Sequence, residues 1–234
     1  MIPGVLTVAT ERLTAPWYNS TDPATVTGGF EYDLAKALAA RLRVSRVQLV
    51  VRPLVTVLSG EDCGCDIVLS EVAATDQRAR RADLTEPYLI VDQAVLVRQG
   101  TSMTSITAGR SFRWGVALDN GEGLDLLAKR VQPIREPAIF VDPDDAIRLL
   151  VEGRIDAVMM PTPNALEAVA ENPSLGVAGQ LRTGEPIAAV LTLGSPNTAA
   201  FNDAIRDMRD DGTIALFLRT YFGMNPADVP EIPS

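Results

Sequence analysis

The chain has 234 residues, a formal net charge of −9 and 47% hydrophobic residues, enough for one large or two small domains with substantial cores. An excess of 30 acidic over 21 basic side chains excludes a protein that binds nucleic-acid phosphates through clustered positive charge, and 5% aromatic residues provide no base-stacking platform. The absence of histidine excludes Ser-His-Asp and Cys-His nucleophile systems and most zinc sites. We therefore expect no metal ion and no cofactor.

The predicted elements alternate between strands and helices. In the first part of the chain they are strands over residues 5–10, 47–51, 66–69 and 94–97, and a helix over residues 32–42. Leu34, Leu38 and Leu42 give this helix an apolar stripe. Residues 100–111 are rich in Gly, Ser and Thr, a composition that predicts a linker.

After residue 111 the alternation starts again. The predicted strands are 114–118, 139–141, 157–160, 175–178 and 188–193, and the predicted helices are 123–130, 146–152, 164–171, 198–209 and 213–221. Alternating units of this kind favour mostly parallel sheets with helices on both faces. The restart in the middle of the chain predicts two lobes.

The segment from Asp66 to Tyr88 is the most informative part of the sequence about function. After its short strand, Thr75 or Asp76 can cap a helix, which places Arg78 in the first turn. The helix dipole favours anions there, so a cation is unusual. A guanidinium beside free backbone N–H groups can receive a carboxylate or a phosphate, and the alternative is a solvated surface arginine.

Five motifs share their order and spacing with one family. They are the opening strand at residues 4–11, G-G-F-E-Y-D-L-A at 28–35, T-D-Q-R with D-L-T-E-P-Y at 75–88, G-R-I-D-A-V at 153–158, and D-G-T followed by Y-F-G within 211–223. Together they resemble the solute-binding proteins of amino-acid ABC transporters, the polar-amino-acid branch known as bacterial solute-binding protein family 3.

The resemblance implies an α/β, two-lobed periplasmic-binding-protein fold of type II. Each lobe would contain a mostly parallel sheet flanked by helices, and the chain would cross between the lobes at two hinge segments. On this sequence the first lobe comprises residues 1–97 plus 189–234, and the second comprises residues 98–188. Hinge closure around a ligand in an interlobe cleft is the expected motion.

The resemblance also implies which residues contact a ligand. Toward its carboxylate it places Arg78, Ala73 where a Thr or Ser is usual, and a backbone-donating turn of Asp119, Asn120 and Gly121. Toward the rest of the ligand it places Glu11, Thr14, Trp17, Ser70, Glu71, Met160 and Pro161.

Two of these positions depart from the family pattern in a way that affects the ligand. Met160 and Pro161 lie where a carboxylate usually binds the α-ammonium, and the Pro161 side chain can pair no cation. Glu71 is the first candidate for the missing partner, followed by Glu11 and Asp119.

Structural alternatives remain open for several of these residues. Glu71 can pair with Arg78 inside the protein, and Arg78 can equally pair with Glu86. Trp17 can belong to the core. Thr14 stands where relatives carry a stacking aromatic ring.

The implied function is a non-catalytic receptor that captures an amino acid or a related zwitterion and delivers it to an ABC transporter permease. We expect a monomer that is periplasmic or extracellular, with a lipid anchor as one option and with its signal segment absent from this chain. One alternative is an enzyme on the same scaffold, similar to cyclohexadienyl dehydratases. The other is a sensory or accessory interaction module with a degenerate cleft. Cys63 and Cys65, the two cysteines, are either free thiols or a local disulfide.

Overall fold

The computed structural model describes residues 3–234, which divide into two compact units. The first unit contains the chain up to Ile90 and Glu185–Tyr221, and the second contains Val91–Gly184 and Phe222–Ser234. Contacts thus place the first two passages between units somewhat earlier than the sequence does. A third passage, between Tyr221 and Phe222, assigns the C-terminal tail to the second unit. The division into lobes at 97/98 and 188/189 stays a prediction.

The first unit is built on a five-stranded mixed sheet. Its strands are β1 (Val5–Thr10), β2 (Arg46–Val51), β3 (Ile67–Val68), β4 (Ala82–Leu84) and β10 (Val190–Thr192). Their order is β2-β1-β3-β10-β4, with β1 parallel to β2 and β3 and with β10 antiparallel to β3 and β4. Four strands therefore point the same way, and β1 is buried along its whole length.

Helices flank this sheet. They are α1 (Phe30–Arg41), α2 (Leu54–Leu58), α3 (Asp76–Ala79), α8 (Thr198–Asp210) and α9 (Thr213–Phe222). The apolar stripe of α1 is buried at Leu34 and Leu38, while Leu42 lies just beyond the helix end and is half-buried. The short elements α2 and β4 had no periodic signal in the sequence, because neither is long enough to repeat a pattern.

Gly29 fixes where α1 begins. Its φ of 123° lies in a region that residues with a side chain rarely adopt, and an added Cβ would lie 2.3 Å from the Trp17 carbonyl oxygen. The close approach lets the Phe30 and Glu31 N–H groups donate to the carbonyls of Pro16 and Trp17, at 3.0 and 3.2 Å. Glu31 thereby starts the helix facing the interior of the unit.

The second unit is built on another five-stranded sheet. Its strands are β5 (Leu89–Arg98), β6 (Trp114–Ala117), β7 (Ala138–Phe140), β8 (Ala157–Pro161) and β9 (Leu175–Ile187). Their order is β7-β6-β8-β5-β9, with β6 parallel to β7 and β8 and with β5 antiparallel to β8. The first two passages between units fall within β5 and β9, and the third falls at the end of α9.

The remaining helical elements belong to the second unit. They are α4 (Ile106–Gly109), α5 (Gly121–Leu126) with a π-helical continuation over Leu127–Val131, α6 (Pro143–Val151), α7 (Thr162–Glu171) and a 3₁₀ turn at Pro226–Asp228. Asp142 caps α6 by accepting from the Asp144 N–H at 2.9 Å. The core on one face of the sheet is centred on Trp114, Leu127 and Met159, all buried.

The predicted linker at residues 100–111 is wrong in part, because this segment packs onto the second core. Met103 and Ile106 are buried there, and the Ile106 N–H donates to the Pro233 carbonyl at 2.8 Å. Ser105 caps the short α4. The overall composition of the segment is dominated by Gly, Ser and Thr, so it does not reveal that Met103 and Ile106 pack into the core.

The fold class is the α/β arrangement that the sequence predicts. Both sheets have helices packed against them, and most strands of the first sheet are parallel in direction. Over residues 3–234, no helix combines the length and apolar character that a bilayer crossing requires.

Candidate functional site

The turn that follows β3, residues 70–73, organises the polar groups of the first unit. The Leu69 N–H still donates to the Ala9 carbonyl at 2.9 Å, so the chain leaves the sheet only after that residue. Glu71 then has a φ of 52°, which lies in the left-handed region. Ala73 then forms an isolated antiparallel bridge with Ile187, the last residue of β9. The turn thus projects its side chains from a strand end, where open α/β sheets bind ligands.

A buried carboxyl holds this turn. Glu31, the second residue of α1, is completely inaccessible to solvent. Its Oε1 accepts hydrogen bonds from the Glu71 N–H at 2.8 Å and from the Tyr88 hydroxyl. Among the atoms described, its Oε2 is buried without a hydrogen-bond partner.

Burial is the largest influence on the pKa of Glu31. Desolvation raises the pKa of Glu31 to about 7, against the opposing effect of its hydrogen bonds from Tyr88, Glu71 and Tyr18. Burial, followed by the nearby Glu31 charge, raises the pKa values of both Tyr88 and Tyr18 well above their ordinary range. The Tyr18 hydroxyl donates to the Leu69 carbonyl at 2.9 Å. The two tyrosines therefore remain neutral donors beside a carboxyl that titrates near neutrality.

Arg78 extends from α3 toward the same turn. Thr75 caps the helix, as predicted, by accepting from the Arg78 N–H at 3.3 Å. The Arg78 Nη1 donates to the Ala73 carbonyl at 2.7 Å, which directs the half-buried guanidinium. Because α3 has only four residues, Arg78 also lies in its last turn. A cation is favoured at that end of a helix, so Arg78 is not the unusual N-terminal cation that the sequence indicated.

No carboxylate in the described part of the chain lies within ion-pair distance of the Arg78 guanidinium. The alternative partner Glu86 instead binds Arg206 at 2.7 Å and Arg209 at 3.4 Å. The internal pairing considered for Arg78 is therefore wrong for Glu86. Its guanidinium keeps donors that the Ala73 carbonyl does not use.

Ser70 and Glu11 are linked to each other. The Ser70 hydroxyl oxygen accepts from the Glu11 N–H at 3.0 Å and lies 3.3 Å from the Thr10 hydroxyl. The exposed Glu11 side chain accepts from the Leu54 N–H at 2.8 Å, the first residue of α2. Glu11 thus stabilises the start of that helix in addition to any contact with a ligand.

Trp17 and Thr14 differ in exposure. Trp17 is 3% exposed and packs edge-on against Phe30, with ring centroids 5.5 Å apart. This contact places Trp17 in the core, which is the alternative to a ligand contact that the sequence left open. Thr14 is exposed, and its carbonyl accepts from the Tyr18 N–H at 2.9 Å.

The second unit places its candidate residues at the start of α5. Asn120 caps this helix by accepting from the Gly123 N–H at 3.0 Å. Its Nδ2 donates to the buried Gln93 side chain at 2.9 Å. The flanking Asp119 and Gly121 are exposed, and the space around Gly121 is open. The backbone turn is therefore held rigidly while its outer face remains accessible.

Met160 and Pro161 end the neighbouring strand β8. The Met160 side chain is 6% exposed and lies in the apolar core. Pro161 is half-buried and immediately precedes α7. Next to it the buried Thr162 hydroxyl lies 2.9 Å from both the Asp92 carbonyl and the Gln180 side chain. Neither Met160 nor Pro161 presents a charge.

A match to a known family decides the class of this chain. Residues 6–224 match the bacterial extracellular solute-binding proteins, family 3. The chain belongs to this family.

Named relatives agree with that membership. The chain is 30% identical over 232 residues to the L-cystine-binding protein TcyJ of Escherichia coli strain K12, covering 97% of this chain and 85% of the relative. It is 27% identical to a probable histidine-binding protein of Neisseria gonorrhoeae, covering 93% and 83%.

Solved structures support the fold. This solute-binding protein resembles an ancestral arginine-binding protein bound to arginine, with a TM-score of 0.68, 27% identity, and coverage of 95% and 100%. The L-cystine solute receptor of Neisseria gonorrhoeae has a TM-score of 0.77 at 20% identity, with 94% of each chain covered, and supports the fold alone. The predicted type II periplasmic-binding-protein fold is confirmed.

Relatives named as enzymes also appear. This solute-binding protein is 29% identical to the membrane-bound lytic murein transglycosylase F of Idiomarina loihiensis, covering 83% of this chain but 45% of that enzyme. The alignment thus spans less than half of the enzyme.

The two cysteines form a disulfide, which the sequence left open. The Cα atoms of Cys63 and Cys65 are 5.2 Å apart, and Gly64 between them has a φ of 61°. A positive φ at the central residue is readily adopted by glycine. The bond accords with an oxidising compartment of the kind in which extracellular proteins fold.

Sequence reasoning missed the role of Glu31. It lies inside the G-G-F-E-Y-D-L-A motif, but an acidic residue in the first turn of a helix is ordinarily explained by the helix dipole. Its position on the same face as Leu34 and Leu38, three and seven residues later, was the available signal for burial. Its partners Glu71 and Tyr88 are distant in sequence, so only the tertiary structure reveals the contact.

Proposed function

We propose that this protein captures an α-amino acid, or an amino-acid-like zwitterion, and delivers it to an ABC transporter permease. The observation that carries this proposal is the Arg78 guanidinium, which is directed by the Ala73 carbonyl and has no described carboxylate within ion-pair distance. A guanidinium pairs a carboxylate bidentately, through donors whose geometry matches the acid. The family membership of the chain supports the same function.

The charges of an amino acid require a second partner. Burying a zwitterion costs several kcal/mol per ion unless each charge is paired. Glu71 lies five residues before the first residue of the helix that carries Arg78, and its left-handed backbone sets the direction of its side chain. We propose Glu71 as the partner of the α-ammonium, because Pro161 carries no charge at the position where relatives usually place one.

The other candidate contacts form part of this proposal. Ser70 supplies a hydroxyl beside Glu71, and the Gly121 backbone N–H at the start of α5 supplies a donor for a carboxylate. Glu11 and Asp119 add negative charge. This surplus of acids favours ligands with more than one cationic group, so the ligands named for the relatives, L-cystine, histidine and arginine, are the first probes.

Micromolar affinity requires only about −8 kcal/mol, which a few charge-assisted hydrogen bonds can supply. We propose that the protein acts as a monomer on the outer side of the cytoplasmic membrane. The extracellular character of the family and the Cys63–Cys65 disulfide support this location.

Calorimetric titration of the protein with these three amino acids tests the proposal. We expect binding of at least one, and we expect Arg78→Ala to weaken it by roughly a hundredfold or more, because a charged partner is removed. Arg80→Ala is the matched control, since Arg80 is exposed at the end of the same helix. Unchanged affinity in Arg78→Ala, with the variant still folded by circular dichroism, would refute the site.

An enzymatic function on the same scaffold is the second candidate, because one structural neighbour is an ancestral amino-acid-binding protein described as a precursor of cyclohexadienyl dehydratase. Its general acid would be Glu71 or Glu11 in the candidate site, since Glu31 is inaccessible to a substrate. Incubation with prephenate or arogenate tests this function. Turnover of either compound would support the enzyme, and absence of turnover alongside amino-acid binding would support the receptor.

A further inference from the structure

The contact between Glu31 and Glu71 joins the interior of the first unit to its candidate ligand turn. The Glu31 Oε1 accepts the Glu71 backbone N–H at 2.8 Å, across 40 positions in the sequence. The same oxygen accepts the Tyr88 hydroxyl. Since Glu31 is inaccessible to solvent, no water molecule can readily replace it as the acceptor.

The backbone of Glu71 needs such a restraint. With a φ of 52°, a residue other than glycine is disfavoured by roughly 1–2 kcal/mol relative to its ordinary conformations. A hydrogen bond to an ionised acceptor is about twice as strong as one between neutral groups, and can offset this cost. The ionised form of Glu31 therefore stabilises the turn more than its neutral form does.

The surroundings allow both forms of Glu31 near neutral pH. The titratable groups that act on it are the Tyr18 and Tyr88 hydroxyls, and neither is a cation. The Glu71 charge acts on these two tyrosines and is also negative. Desolvation raises the pKa of Glu31 to about 7. A proton can therefore be gained or lost in the range where an exported protein operates.

We propose that Glu31 is the positioning residue of turn 70–73, holding Glu71 in its left-handed conformation when ionised and releasing it when protonated. Glu31 acts through Glu71, whose side chain is the proposed partner of the ligand's ammonium. Acidification therefore loosens the turn and weakens ligand binding. The effect on affinity rests on the proposed function, whereas the effect on the turn does not.

The turn can be tested without a ligand, by measuring hydrogen exchange of the Glu71 amide at about pH 5.5 and about pH 8, corrected for intrinsic exchange. We expect lower protection at the acidic pH in the unaltered protein. We expect Glu31→Gln, whose amide is neutral at every pH, to show low protection at both. Equal protection at the two pH values in the unaltered protein would overturn the proposal.

Glu167 provides a matched control. Its pKa is also raised to about 7, by desolvation and by repulsion from Glu171 and Asp144, but it lies on α7 of the second unit. Glu167→Gln removes a titration in the same range, and we expect it to leave the pH dependence of Glu71 exchange intact. If this variant abolished that dependence while Glu31→Gln preserved it, Glu31 would not be the positioning residue.

The effect on affinity is tested by titrating the protein with L-arginine and with L-cystine at the same two pH values. We expect affinity to fall on acidification by at most about tenfold per pH unit, the limit that uptake of one proton sets, and to become pH-independent in Glu31→Gln. Binding that is strong but independent of pH would overturn the proposal. If neither ligand binds while Glu71 exchange still follows pH, the proposed function fails and the positioning role stands.

Discussion

The Asp156 carboxylate accepts three hydrogen bonds from Arg113: from Nε at 2.9 Å, from Nη2 at 2.6 Å and from the backbone N–H at 2.9 Å. Arg98 approaches the same carboxylate at 3.5 Å and donates to the Leu150 and Ile155 carbonyls, each at 2.7 Å. Asp156 directly precedes β8 and Arg113 directly precedes β6, so the pair joins the starts of two neighbouring parallel strands.

Removal of this ion pair should destabilise the second unit. We expect Asp156→Ala to lower the free energy of unfolding by about 2 kcal/mol, because charge-assisted hydrogen bonds are lost and two arginines lose their partner. Urea unfolding measures the change. Asp125→Ala is the control, since its exposed pair with Lys129 lies within one helical stretch and should contribute under about 0.5 kcal/mol. Similar losses in the two variants would contradict this role.

The same carboxylate should make the protein sensitive to acid. Hydrogen bonds from Arg113 hold the pKa of Asp156 well below its usual range. Its contribution to stability is therefore present above the unfolded pKa of about 4 and is lost as pH falls below that value. We expect Asp156→Asn to be less stable than the unaltered protein near neutrality and to lose less stability than it on acidification. Acid titrations followed by circular dichroism would reveal parallel curves if the prediction were wrong.

Glu31 should have the opposite pH dependence. Its pKa rises from 4.5 in the unfolded chain to about 7 in the fold, so the folded state binds the proton more tightly. The stability that this provides is present below about pH 4.5 and is lost as pH rises toward 7, a change of roughly 3 kcal/mol. Glu31→Gln should flatten this part of the stability curve, measured by denaturant unfolding at several pH values. Glu167→Gln accounts for the second carboxyl that titrates in this window.

Gly29 should tolerate no side chain. A Cβ there would lie 2.3 Å from the Trp17 carbonyl oxygen, on a backbone whose φ of 123° already disfavours one. We expect Gly29→Ala to cost more than about 2 kcal/mol, since both strain and a backbone clash result. Gly121→Ala meets open space and should change stability by less than about 1 kcal/mol. Thermal unfolding measures both variants. Equal losses of stability in Gly29→Ala and Gly121→Ala would refute the proposed clash at Gly29.

The Asn120 side chain should stabilise the second unit by holding the turn at the start of α5. Its side chain accepts from the Gly123 N–H and donates to Gln93, so Asn120→Ala removes a helix cap and a buried contact. We expect a loss of about 1 kcal/mol in the free energy of unfolding. Asn120→Asp retains the cap and should recover much of it, which distinguishes capping from the Gln93 contact. Full loss in the Asp variant would assign the effect to Gln93 instead.

The sequence by itself determined the family, the α/β class and most of the longer elements. Motifs such as G-R-I-D-A-V are local, and a periodicity such as that of Leu34 and Leu38 follows from the geometry of a single helix. The candidate position of Arg78 could be assigned for the same reason, because its motif and its cap at Thr75 lie within four residues. These features depend on neighbours in the chain, and a sequence records them directly.

Only the tertiary structure decided which polar groups meet. Glu31 bonds to Glu71 and Tyr88 across 40 and 57 positions, and Glu86 pairs with Arg206 across 120. The antiparallel strand β10 and the packing of residues 103 and 106 against the C-terminal tail likewise join distant parts of the chain. Such contacts arise from the packing of one element on another and leave no periodic pattern in the sequence. The charge on a buried carboxyl follows from that packing, because burial determines how much water remains to stabilise the ion.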